Sequence, residues 1–82
     1  MMKKFILYTR KNCHLCEDAE SILIELEKEL PLSWEKRDID EDEQLVERYD
    51  WYVPVIEFEG RIIQSGEIVK EMLKNEITGE IG

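Results

Sequence analysis

The stretch "LYTRKNCHLCEDAESILIEL", residues 7–26, holds the only two cysteines of the chain, Cys13 and Cys16, three positions apart. They sit at the junction of an apolar run and an amphipathic one. A pair at this spacing can clip a metal, supply half of a larger ligand set, anchor a haem or act as a redox dithiol, and each use demands different company in the sequence.

Upstream of the pair, residues 5–9 (FILYT) are apolar and β-favouring, which predicts a buried strand. Downstream, Ala19, Ile22, Leu23, Leu26 and Leu30 recur at helical spacing with acids between them. Asn12 or Cys13 is placed to cap that helix and Pro31 to end it. Residues 32–39 read as a second strand, and Leu45, Val46 and Tyr49 mark a short second helix. The segment "VPVIEFEGRII" reads as strand, turn, strand, with Glu59 and Gly60 at the reversal. From Gly66 the pattern through Ile68, Val69, Met72 and Leu73 predicts a closing helix. The order is βαβαββα, an α/β arrangement whose first β-α-β unit calls for parallel strands. At 82 residues one domain spanning 1–82 is expected, and a domain this small buries only about 60% of its unfolded surface.

Charge narrows the partners. The formal net charge is −9, with 43% hydrophobic and 38% charged residues, a composition expected of a compact folded domain. An acidic surface disfavours nucleic acid and anionic membranes. The basic residues Lys3, Lys4, Arg10 and Lys11 all precede the first acid, Glu17. The apolar run at residues 5–8 is shorter than the ~7–15 residues of a signal-peptide core, and no stretch reaches the ~18 apolar residues of a membrane span. A cytoplasmic location is therefore expected, where a lone cysteine pair is more often catalytic, redox-active or metal-binding than a structural staple.

Haem attachment requires histidine directly after the second cysteine, and Glu17 stands there. Structural zinc usually takes four ligands, and Cys13, Cys16 and His14 fall short unless carboxylates or a second chain complete the set. A redox dithiol asks only for the pair itself near a βαβ unit and for a lowered thiol pKa, since an unperturbed thiol at ~8.5 is mostly protonated at neutral pH. Cys13 is expected at the helix N-terminus, where unpaired N–H groups and the dipole favour an anion. Arg10, Lys11 and a protonated His14 would add to that, and Glu17 and Asp18 would oppose it. His14 is equally readable as an exposed first-turn residue. Cys16, one turn on, is expected buried and protonated, so that Cys13 attacks and Cys16 resolves. Pro54 cannot donate to a sheet ladder and belongs at a strand's start, an edge or a bulge. A cis Val53–Pro54 bond would leave the Val53 backbone free for an extended substrate, whereas trans is the commoner state.

With these residues assembled, the chain resembles the glutaredoxin branch of the thioredoxin fold, and most closely a group of small glutaredoxin-like proteins with the motif C-H-L-C. "LYTRKNCHLCEDA" is similar to the family's first strand and active-site helix, "DIDED" to its second strand and turn, "YVPVIEFEG" to its cis-proline loop and "QSGE" to the start of its last helix. The resemblance implies a four-stranded mixed sheet flanked by three helices, with Cys13 as nucleophile, Cys16 as resolving thiol and a cis Pro54. It further implies substrate contacts from Lys11, Tyr52, Val53 and Gly66. Thioredoxins proper keep a buried Asp where this chain has Ile6 and Leu7. Glutaredoxins usually show paired glycines before the last helix and Pro-aromatic between the cysteines; here Gly66 is followed by Glu67, and His14-Leu15 stands between the thiols.

The resulting expectation is a monomeric thiol-disulfide oxidoreductase that needs no bound cofactor or metal. Its substrate would be a protein disulfide or a glutathione mixed disulfide, with electrons from glutathione or a reductase. Two other readings stay open: a non-enzymatic redox-sensing or partner-binding module of the same fold, and a dimeric metal or iron-sulfur carrier.

Overall fold

Strand alternation organises the molecule. In the computed structural model, which describes residues 4–81, β1 (Phe5–Thr9) sends Phe5 and Leu7 to one face and Ile6 and Tyr8 to the other, as the two-residue period of a strand requires. Lys3 and the outermost positions of the expected 1–82 domain lie outside the described residues. The chain continues through α1 (His14–Glu27), β2 (Trp34–Asp38), a 3-10 turn (Ile39–Glu41), α2 (Glu43–Tyr49), β3 (Val55–Phe58), β4 (Arg61–Ser65) and α3 (Lys70–Ile81). The strands form one mixed sheet in the order β2-β1-β3-β4, with β1 parallel to β2 and antiparallel to β3, and β3 antiparallel to β4. This is the βαβαββα α/β architecture expected from the sequence.

Each face has its own core. On one, Phe5, Leu7, Ile56 and Phe58 meet Ala19, Leu23 and Leu26 of α1 and Leu73 and Ile77 of α3. Phe5 lies opposite Phe58 in the β1–β3 register, and their rings stack at 4.2 Å. On the other face Tyr8 and Val55 pack with Ile39 and with Leu45, Val46 and Tyr49, the apolar side of α2.

Element ends differ from the sequence reading, each for a local reason. Helix α1 stops at Glu27 rather than at Leu30: the Glu29 and Leu30 N–H groups both turn back to Leu26 O, at 3.0 and 2.9 Å, while Leu30 still packs against the core. Strand β2 is shorter than residues 32–39, because the Asp38 side chain accepts the Asp40 N–H at 2.9 Å and starts the 3-10 turn. Helix α3 begins at Lys70, and Gly66, with φ 74°, opens a connecting loop in which Ile68 is nevertheless buried. The β3–β4 reversal is as expected, with positive φ at both Glu59 (50°) and Gly60 (80°), the pair of left-handed residues a tight hairpin turn uses.

Candidate active site

The sheet register gathers the site. Thr9 pairs with Asp38, Tyr8 with Val55 and Val55 with Ser65. One end of the sheet therefore carries the loop after β1, the acidic turn after β2, the Val53–Pro54 step before β3 and Gly66 after β4. In that loop Asn12 adopts a left-handed φ of 57° and delivers Cys13 to the N-cap of α1. The Cys13 Sγ accepts the Cys16 N–H at 3.1 Å, so the sulfur itself caps the helix, where backbone donors and the dipole favour negative charge. The two cysteines are joined as a disulfide with Cα atoms 5.2 Å apart. Cys13 is half-buried, whereas Cys16 is only 3% exposed. A cavity of about 300 Å³ opens beside them, walled by Arg10, Lys11, Glu17, Glu20, Lys36 and Asp38 among others.

The surrounding groups fall differently from their sequence reading. Arg10 is clamped by two carboxylates: its Nη2 lies 2.8 Å from Asp40 Oδ1, and its Nη1 pairs with Asp50. The hydrogen bond to Asp40 is the main reason the guanidinium is held even more firmly charged than usual, and the same bond holds the Asp40 carboxyl below the ordinary carboxylate range. The charge that Arg10 was expected to offer a Cys13 thiolate is thus largely balanced. Lys11 is exposed on the cavity wall. His14 is 86% exposed on its side chain and sits 3.7 Å from Asp18 Oδ2, along its own helix.

Around the proline, the Val53–Pro54 bond is cis. Of the Val53 backbone, expected free for substrate, the N–H is engaged and donates to Tyr49 O at 3.1 Å. Gly66 likewise offers no open donor, since its N–H is shared between Pro54 O at 2.9 Å and Tyr52 O at 3.2 Å. Tyr52 is 58% exposed and walls a second groove of about 430 Å³ with Arg48, Tyr49, Gly60, Ile62 and Ser65. Neither Trp51 nor Tyr52 packs beneath the loop; Trp51 is 90% exposed, and the buried ring there is Tyr49, its hydroxyl donating to Glu57 Oε2 at 3.0 Å. Burial first, and the Glu57 carboxylate second, push the Tyr49 phenol above its usual pKa.

Asp40 and Asp50, the partners of Arg10, were missed as site residues. The acidic run after the second strand was the available signal for Asp40, while no local pattern marks Asp50. Among the described residues, no group of three or more His, Cys, Asp or Glu side chains is arranged to hold a metal ion, and no helix is long and apolar enough to cross a membrane.

Solved structures share this architecture. A structural-genomics target protein from X. campestris, XcR50, superposes with a TM-score of 0.78 at 26% identity, covering 92% of this chain and 96% of its own. Protein Ne2328 from Nitrosomonas europaea, solved by NMR, gives a TM-score of 0.77 at 27% identity over 93% of this chain and 92% of its own. A malarial protein at 16% identity, with full coverage of both chains and a TM-score of 0.73, shares the fold. Comparison with curated proteins finds no match. The chain is a thioredoxin-fold module with a C-x-x-C pair at its helix cap, and the family model of the glutaredoxin-like domain (DUF836) matches residues 4–78, so the chain belongs to that family.

Proposed function

We propose that the protein is a thiol-disulfide oxidoreductase working through Cys13 and Cys16. The observation that supports this most is the asymmetry of the pair: two sulfurs within bonding reach, one accessible at a helix N-cap and one buried. In the reduced state the Cys13 thiolate attacks one sulfur of a substrate disulfide. The substrate S–S bond breaks, its second sulfur leaves as a thiolate that takes up a proton, and a mixed disulfide remains on Cys13. Cys16 then loses its proton and attacks the Cys13 sulfur, releasing the other substrate thiolate. Two electrons and two protons pass from the dithiol to the substrate, and the protein is left as the Cys13–Cys16 disulfide. A thiol reductant, glutathione or a reductase dithiol, restores it. The expected setting is a monomer in a reducing compartment such as the cytoplasm, with no bound cofactor.

The test equilibrates the metal-free protein in a series of glutathione redox buffers, traps thiols with an alkylating agent and reads the mass. A cooperative change from two alkylated cysteines to none, at a potential between roughly −270 and −120 mV, is expected. Cysteines that never pair under any buffer would end the two-thiol mechanism. A pair that closes while the reduced protein turns over no disulfide would instead identify a non-enzymatic redox sensor.

A further inference from the structure

Near the sulfurs, several donors and cations are already engaged, Lys11 on the cavity wall excepted. The Val53 N–H is bonded to Tyr49 O, and the Gly66 N–H to Pro54 O and Tyr52 O. Arg10 is held by Asp40 and Asp50, and Lys36 by Glu20 at 3.3 Å. Carboxylates are plentiful at the same end of the molecule: Glu17 in the first turn of α1 and Asp18 just after it, Asp38 and Asp42 flanking the 3-10 turn, and Glu67 in the loop after Gly66. The same loops and helix starts carry exposed apolar side chains that fill no core: Leu15 in the first turn of α1, Trp51 and Tyr52 before Pro54, and Val69 before α3. The Tyr52 groove extends this apolar surface over Ile62 as far as Gly60, with Arg48 as its one charged wall, lying over the Tyr49 ring at 5.9 Å.

Glutathione is a small anion with two carboxylates, and it would meet these acids at a rim where the Val53 and Gly66 N–H groups are already bonded. An extended protein segment meets apolar contact area at Trp51 and Tyr52, and a segment with basic residues near its disulfide meets complementary charge. Resting on the oxidoreductase reading above, we propose that the preferred substrate is a protein disulfide in an extended segment with lysine or arginine flanking its cysteine. The aromatic pair Trp51 and Tyr52 would receive the apolar part of that segment.

The experiment uses the pre-reduced full chain and follows single-turnover oxidation by four probes: three disulfide peptides of one length whose cysteines are flanked by lysine, serine or glutamate, and glutathione disulfide. The lysine peptide is expected to react fastest and the glutamate peptide slowest, by about tenfold or more at low salt, with the gap closing as salt shortens the Debye length to about 3 Å near 1 M. Glutathione disulfide is expected below the serine peptide. Equal peptide rates, or glutathione disulfide as the fastest probe, would overturn this substrate class and leave the oxidoreductase reading standing. No reaction with any probe would remove both. A Trp51→Ala variant is expected to slow the three peptides, and unchanged peptide rates would refute the aromatic contact.

Discussion

Cys13 and Cys16 are the same residue type one helical turn apart, and their surroundings differ. Cys13 is half-buried and its sulfur accepts the Cys16 N–H at the N-cap of α1, whereas Cys16 is nearly sealed off from solvent; on the proposed mechanism the exposed sulfur is the one a substrate can reach. Cys16→Ser is accordingly expected to stop after the first exchange and to carry one covalent substrate adduct, on Cys13, detectable by mass. Cys13→Ser should carry none, and an adduct on Cys16 in that variant would reverse the roles. The places of both cysteines, one at the helix cap and one buried a turn further on, were legible in the sequence because a helix N-cap is a local feature. The state of Arg10 was not, because Asp40 and Asp50 lie 30 and 40 positions away.

Three elements meet at Arg10. The residue belongs to the loop after β1, Asp40 to the 3-10 turn and Asp50 to the end of α2, so one guanidinium ties the cysteine loop to both. Its pH dependence has a definite sign. Because the Asp40 carboxyl is held below its usual value of 3.8 by Arg10, the clamp's contribution is fully present above that pH and is lost as pH falls through the lower folded value. Arg10→Gln is therefore expected to lower the urea midpoint by a constant, small amount from neutral pH down to about pH 5, the partners being solvent-exposed, with the difference vanishing in stronger acid. A difference that grew on acidification would contradict the clamp. Element order was readable from apolar periodicity, but the ends of α1, β2 and α3 were not. Leu30 and Ile68 keep the apolar spacing and still reach the core from turns and loops, so periodicity continues beyond the hydrogen-bonded element.

Across the whole molecule the sheet separates two cores, and the larger one, beneath α1 and α3, carries most of the large fully buried side chains. Leu23 is completely buried there. Leu23→Ala is expected to cost ~2–5 kcal/mol, a large part of the total for a chain of this length at ~0.05–0.15 kcal/mol per residue. Trp51→Ala, at an exposed site, should stay within ~0.5 kcal/mol. Urea unfolding of the two variants checks the pair, and comparable losses would show that Trp51 is packed after all.

The sequence alone determined what depends on neighbours along the chain: the two-faced strands, the amphipathic first helix with Cys13 at its cap, the tight turn at Glu59 and Gly60, and hence the βαβαββα order and the position of the dithiol. Only the tertiary structure decided which groups at the site are already engaged. The N–H groups of Val53 and Gly66 are satisfied by backbone carbonyls across the proline loop, and the charge of Arg10 is matched by acids from two other elements. Buried and half-buried polar groups take whatever partner the fold brings within reach. That choice is made by strand register and loop path rather than by spacing, which is why the cysteines could be located from the sequence while the chemistry of their rim could not.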